Sequence, residues 1–133
     1  MPAFLIVAHA PLASSLKAVA EHAYSECAPD LQAFDVAPDT DTATLQAQLR
    51  AAIGDGEAVL FTDMFGATPC NAARHVADGR RVQVIAGVSV PMLWRTLCYR
   101  SLSLDEIVAK ALEGGVKGVM AVPPLEPPPP APP

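Results

Sequence analysis

Short apolar runs alternate with amphipathic segments along the first 122 residues, separated by short connections. Runs of five to seven apolar-rich residues predict strands, and apolar residues three and four apart predict helices. The predicted strands are 4–8, 31–36, 58–62, 82–86 and 116–122. One helix follows each of the first three strands and two follow the fourth, the last of them ending at Gly114-Gly115. This alternation predicts a doubly wound α/β fold, a mostly parallel sheet with helices on both faces.

Strand order does not follow from alternation, but 2-1-3-4 is a common order for such sheets. It places the first and third strands side by side at the switch point, where ligands bind outside the carboxyl ends of the strands. The loops that follow these two strands begin at His9 and at Asp63. We therefore expect any functional site to lie between them.

Composition restricts the class of protein. A chain of 133 residues is one domain, and 51% hydrophobic with 5% aromatic content indicates an aliphatic core. The net charge of −5 argues against nucleic acid and anionic membranes as partners. No apolar run reaches the roughly 18 residues that span a bilayer, so direct membrane insertion is not expected. Three distant cysteines, Cys27, Cys70 and Cys98, predict reduced thiols in a cytoplasmic protein.

The composition changes abruptly at Pro123. Eight of the fourteen prolines lie in residues 123–133. Proline cannot continue a helix or a central strand, so this segment is predicted to be polyproline II or disordered. The sequence thus predicts one folded domain over 1–122 and a tail over 123–133.

His9 and Asp63 occupy the same place at the ends of their strands. Across the switch point, the carboxylate is able to accept a hydrogen bond from one imidazole nitrogen, which leaves the other nitrogen free as a nucleophile. The structural alternatives are a histidine that only fills a loop and an aspartate that only caps its own loop. Each residue alone favours those alternatives, whereas the pair favours catalysis.

The loop after Asp63 has the character of a phosphate site. Gly66 and Ala67 keep the backbone accessible, and Thr68 before Pro69 is predicted to cap a helix. A helix N-terminus binds phosphate. The sequence contains no P-loop lysine motif, metal-ligand cluster or dinucleotide glycine motif, so no metal or cofactor is predicted. These features together predict phosphoryl transfer through a phosphohistidine at His9.

Three motifs in order, residues 4–9, 63–71 and 86–93, resemble the IIA component of the mannose family of the bacterial sugar phosphotransferase system. The resemblance covers residues 1 to about 122. It implies that His9 accepts a phosphoryl group from the histidine-containing phosphocarrier protein, that Asp63 hydrogen-bonds His9, and that the Thr68 region lines the phosphate site. It also implies a homodimer in which strand 116–122 is antiparallel and exchanged between subunits.

Two positions depart from the family pattern: Ala10-Pro11 replaces the usual glycine after the histidine, and Ser89 replaces a common asparagine.

Family members pass the phosphoryl group to a IIB component, and a free-standing IIA is alternatively a regulator that is sensed by its phosphorylation state. Two other hypotheses stay open. One is the related phosphotransferase subunit of a dihydroxyacetone kinase, and the other is an interaction or small-molecule-binding module with an inert His9.

Overall fold

A computed structural model of the chain describes residues 1–126 and 129–132. The strands are β1 (Ala3–His9), β2 (Gln32–Val36), β3 (Ala58–Thr62) and β4 (Val82–Ala86). The helices are α1 (Leu12–Ala23), α2 (Thr42–Ile53), α3 (Thr68–Val76), α4 (Val90–Leu97) and α5 (Leu104–Lys117), with a 3₁₀ turn at Ser25–Cys27. Among the described residues, no helix has the length and apolar character that a membrane crossing requires.

The four strands form one parallel sheet in the order β2-β1-β3-β4. The predicted order and the doubly wound fold class are therefore confirmed. Strand β1 is central and pairs with β2 on one side and β3 on the other. Because β1 and β3 are parallel and in register from Ala3↔Ala58 to Val7↔Thr62, their carboxyl ends lie together at one edge.

Alternate residues of β1 face two separate cores. Phe4, Ile6 and Ala8 pack with the buried faces of α1, α4 and α5, whereas Leu5 and Val7 pack with those of α2 and α3. All five side chains are at most 1% exposed. Because both faces of the strand are buried, its residues form a continuous apolar run, as is common in parallel sheets.

The predicted bounds of the fifth strand, 116–122, are wrong at their start. Helix α5 continues through Gly114 and Gly115 to Lys117, and residues 118–122 belong to no strand. The antiparallel edge strand and its exchange in a dimer therefore stay a prediction for residues 118–122. Strand β4 has no neighbour on its outer side among the described residues, so that edge of the sheet is open to a further strand.

The two glycines lie inside α5 because the helix approaches α4 closely there. A Cβ on Gly114 would lie 2.5 Å from Cγ of Arg95 and 3.0 Å from the Pro91 carbonyl oxygen. A Cβ on Gly115 would meet only the terminal methyl of Met92, at 2.8 Å. Gly114 is thus a packing requirement of the α4–α5 contact, not a helix stop.

The cysteine prediction is also wrong in part. Cys27, in the 3₁₀ turn after α1, is disulfide-bonded to Cys98, directly after α4. The two residues are 71 positions apart in the chain, so the contact is produced by helix packing and leaves no local pattern in the sequence. Cys70 is a free, buried thiol as predicted.

The described part of the proline-rich tail, residues 123–126 and 129–132, contains no helix or strand and is exposed. For Pro127, Pro128 and Pro133, the tail prediction lies outside the described residues. The division into a domain over 1–122 and a tail over 123–133 stays a prediction.

We predict that Gly114→Ala destabilises the protein although alanine is the better helix former. The new methyl group must displace Arg95 and a backbone carbonyl, which costs roughly 1–3 kcal/mol by overpacking. Gly115→Ala is the matched control, since a flexible methionine end can move and helix propensity favours alanine by about 1 kcal/mol. Urea denaturation measures both variants. Equal stabilities would contradict the close α4–α5 approach.

Candidate functional site

His9 is the last residue of β1, opposite Val36 of β2. The five residues before it are buried, whereas the His9 side chain is 53% exposed. The backbone N–H of Ala10 donates to the Val36 carbonyl at 3.0 Å, which ties the chain to β2 just beyond the histidine. The imidazole is thereby presented to solvent at the end of a rigid central strand.

Asp63 follows β3, the strand beside β1, and reaches the histidine directly. Its Oδ2 lies 2.7 Å from His9 Nδ1 and accepts a second hydrogen bond from the His9 backbone N–H at 3.1 Å. The hydrogen bond that the sequence predicts between these two residues is present. One carboxylate oxygen thus holds both the ring and the backbone of His9.

This contact fixes the protonation pattern of the ring. A carboxylate oxygen can only accept, so the neutral imidazole carries its hydrogen on Nδ1. The lone pair is then on Nε2, the nitrogen that does not contact Asp63. A half-exposed ring with an oriented lone pair is a nucleophile that a second molecule can reach.

The Asp63 carboxyl is charged at neutral pH. Its side chain is only 16% exposed, and burial acts to raise its pKa. Hydrogen bonds from the His9 ring and the His9 backbone N–H act in the opposite direction and prevail, so the pKa of Asp63 is lowered from its ordinary 3.8. The charged Asp63 carboxylate is therefore a strong acceptor for the hydrogen on Nδ1.

The loop after Asp63 turns tightly and is anchored to α3. Gly66 has a φ of +85°, a conformation that side chains other than glycine rarely adopt. The Asn71 side-chain amide donates to the Gly66 carbonyl at 3.2 Å. No sequence motif predicts this role for Asn71; its only signal is an amide in the first turn of a helix that follows a glycine loop.

The start of α3 differs by one residue from the prediction. Thr68 is the first helical residue and Ala67 is the N-cap, with no side-chain cap, so the expected Thr68 cap is wrong. The reason is the extended backbone of Ala67, whose carbonyl accepts the first helical hydrogen bond from Asn71 N–H at 2.9 Å. The Thr68 hydroxyl is consequently spared for other contacts, and the first-turn N–H groups of Thr68 and Cys70 have no helical acceptor.

A second helix also begins near His9. The first turn of α1 is capped by Asp35 of β2, whose carboxylate accepts from the Ser14 backbone N–H at 3.0 Å and from the Ser14 hydroxyl at 2.5 Å. Neither helix has an acidic residue in its own first turn, and α3 has no side-chain cap. Among the described contacts, a carboxylate from another element therefore caps α1 but not α3.

The other candidate residues lie apart from this pair. The other two histidines, His22 and His75, are exposed on α1 and α3. Ser89 accepts a hydrogen bond from the Met92 N–H at 3.3 Å and caps α4, so this departure from the family pattern has a structural role. A cleft of about 430 Å³ lies along α3 beside Asn71, Arg74 and His75.

Comparison with known proteins identifies the family. Residues 3–112 match the family described as PTS system fructose IIA component. The chain belongs to this family. Over 97 residues, 67% of the chain, it is 43% identical to the mannose-specific EIIAB component of the same system from Escherichia coli K12. The match spans 30% of that relative, so the chain corresponds to less than a third of its length.

Solved structures give the same fold for this IIA chain. The mannose/sorbose-specific IIA subunit from Enterococcus faecalis superposes with a TM-score of 0.84 at 22% identity, covering 94% of this chain and 97% of that one. The EIIA component from Streptococcus agalactiae superposes with a TM-score of 0.82 at 19% identity, covering 91% and 97%. At these identities the likeness establishes the architecture only.

We predict that Asp63 makes the stability of the protein depend on pH in acid. Because its folded-state pKa is lowered, its contribution is complete above the unfolded-state value near 3.8 and is lost as the pH falls through the folded-state pKa. Below about pH 4, the free energy of unfolding should therefore fall more steeply for the parent than for Asp63→Asn. Denaturant titrations across this pH range measure the difference.

The control is the same substitution in a His9→Ala background. There the ring hydrogen bond is absent and only the backbone N–H remains, so Asp63→Asn should change the pH dependence less. An identical effect in both backgrounds would show that the ring does not lower the pKa of Asp63.

Proposed function

We propose that this IIA domain is a phosphoryl carrier of the phosphotransferase system, with Nε2 of His9 as the acceptor atom. The donor would be the histidine-containing phosphocarrier protein. The observation that carries the proposal is the hydrogen bond between His9 Nδ1 and the Asp63 carboxylate. This bond orients the half-exposed ring and leaves its Nε2 without a contact to Asp63. Family membership supports the same assignment.

The chemistry of transfer fits these two residues. The phosphorus–nitrogen bond on the donor histidine breaks as a bond forms between phosphorus and His9 Nε2, and the donor imidazole leaves with the electron pair. His9 then carries substituents on both nitrogens and gains positive charge, which the Asp63 carboxylate stabilises. No proton has to leave His9 in this step, because Nε2 carries no hydrogen and attacks with its lone pair.

Gly66, Ala67 and Thr68 are proposed to line the phosphate position. The Gly66 turn carries the backbone past Asp63 without a side chain, and the first turn of α3 begins directly afterwards. The N–H groups of Thr68 and Cys70 and the Thr68 hydroxyl are donors suited to phosphoryl oxygens. Pro69 contributes no donor.

The surroundings suit a protein partner. Met64 and Phe65, one and two residues after Asp63, are 63% and 73% exposed, and apolar exposure of this kind typically marks interaction surfaces. The Arg74 guanidinium lies 5.5 Å from the Phe65 ring centroid and supports its position. A carrier protein that brings its phosphohistidine to His9 would cover these residues.

The proposal includes the destination of the phosphoryl group. It passes either to a IIB component, as the name of the EIIAB relative suggests, or nowhere, with the phosphorylated domain acting as a regulator. We also propose a cytoplasmic location and a homodimer, the latter supported by the open edge of β4 and the exposed Val119, Met120 and Val122. No observation favours the dihydroxyacetone kinase subunit or an inert binding module.

We predict that phosphoenolpyruvate, enzyme I and the phosphocarrier protein together place one acid-labile phosphate on the chain, at His9. His9→Ala should abolish the label. His22→Ala and His75→Ala are matched controls, because they remove the other two histidines from exposed helix positions and should label fully. Phosphate-affinity gels and mass spectrometry measure the product. Undiminished labelling of His9→Ala would refute the site.

We predict that Asp63→Asn slows this labelling roughly 10- to 100-fold, since it removes a charge-assisted hydrogen bond worth about 1.5–3 kcal/mol. Asp39→Asn is the control, since it removes the same charge from an exposed turn after β2. Rapid-quench measurements give both rates, and circular dichroism checks the fold. Equal rates for the two variants would exclude the proposed role of Asp63.

A further inference from the structure

The bonded cysteines join the ends of two helices on the opposite side of the domain from His9. Helices α1 and α4 run back from the carboxyl edge of the sheet, so Cys27 and Cys98, which follow them, lie toward its amino edge. Tyr24 and Trp94, a few residues before them, stack with ring centroids 6.5 Å apart and planes 9° apart. Two adjacent contacts thus connect α1 with α4.

Cys98 is the more accessible of the two cysteines. Cys98 is exposed, whereas Cys27 is partly buried against the core cluster below it. A cleft of about 340 Å³ lined by Trp94, Arg95, Cys98 and Tyr99 leads to this position. Thiol–disulfide exchange depends on access to one sulfur, and Cys98 is the exposed residue of the pair.

The contact between α1 and α4 does not consist of the disulfide alone. Apolar residues of α1 and α4, among them Leu16, Ala20, Leu93 and Leu97, are buried in one cluster with the sheet. The Tyr24–Trp94 stack adds a contact beside the cysteines. We therefore expect the reduced chain to keep both thiols close to each other, which a reversible pair requires.

We propose that Cys27 and Cys98 form a reversible thiol–disulfide site that exchanges with small disulfides and thiols of the glutathione class. In oxidation, the Cys98 thiolate attacks glutathione disulfide and releases one glutathione thiolate. The Cys27 thiolate then attacks the mixed disulfide at Cys98 and releases the second. Two cysteine thiols become one disulfide, one glutathione disulfide becomes two glutathiones, and reduction is the reverse.

This site is separate from the proposed phosphoryl transfer and does not depend on it. Cys70 serves as an internal reference, because it is a free thiol only 2% exposed and has no cysteine partner among the described residues. Trp94, the only tryptophan of the chain, lies four residues before Cys98 and reports on its surroundings by fluorescence.

The decisive experiment equilibrates the full chain without oxygen in buffers of varied glutathione to glutathione disulfide ratio. Acid quenching, alkylation of free thiols and mass spectrometry then count the oxidised cysteines. We expect a single transition between two thiols and one disulfide at Cys27 and Cys98, an alkylatable Cys70 throughout, and a parallel change in Trp94 fluorescence. A pair that stays oxidised in excess glutathione, or stays reduced in excess glutathione disulfide, would overturn the proposal.

A second experiment tests the point of attack with single variants. In Cys27→Ser, the exposed Cys98 should take up one glutathionyl group about tenfold faster than Cys27 does in Cys98→Ser. Equal or reversed rates would overturn attack at Cys98. If either variant fails to fold by circular dichroism, the titration of the parent chain still decides whether the pair is reversible.

Discussion

The carboxylate of Asp63 joins the ends of β1 and β3 through two hydrogen bonds to one residue, His9. Such a contact is available only where two strands that are distant in sequence become neighbours, as they do at the centre of the order 2-1-3-4. Burial of both strands on both faces leaves their ends little freedom. The orientation of the imidazole is therefore a property of the sheet, and the chemistry proposed for Nε2 depends on it.

Much of this could be predicted because the relevant signals are local. The run before His9 is apolar without interruption, as a strand covered on both faces must be, and the run before Asp63 has the same character. Doubly wound sheets have few common strand orders. The two strands that end in polar residues are therefore readily predicted to be neighbours, with His9 and Asp63 close together. The family resemblance then supplied a chemistry that the arrangement accommodates.

Three failures share a different cause. Residues 116–122 alternate in hydrophobicity, but residues 116 and 117 continue α5, which packs against α4. A glycine at position 114 predicts the end of a helix, but in the structure it lies inside α5 where α4 packs closely against it. Cys27 and Cys98 meet because two helices pack side by side, across 71 residues of chain. Each error concerns a contact between elements, where local propensity is overruled by packing.

The capping of α1 by Asp35 has a consequence for the direction from which an anion can approach. Two helices begin beside the histidine, and both would present positive ends to it. Asp35 cancels that of α1 and adds a full negative charge on the β2 side, whereas the α3 end stays uncompensated. Asp63 adds a second carboxylate on the β3 side, where it holds Nδ1. For the phosphoryl group that we propose at Nε2, the start of α1 is therefore already occupied by Asp35, whereas the first turn of α3 keeps its N–H donors.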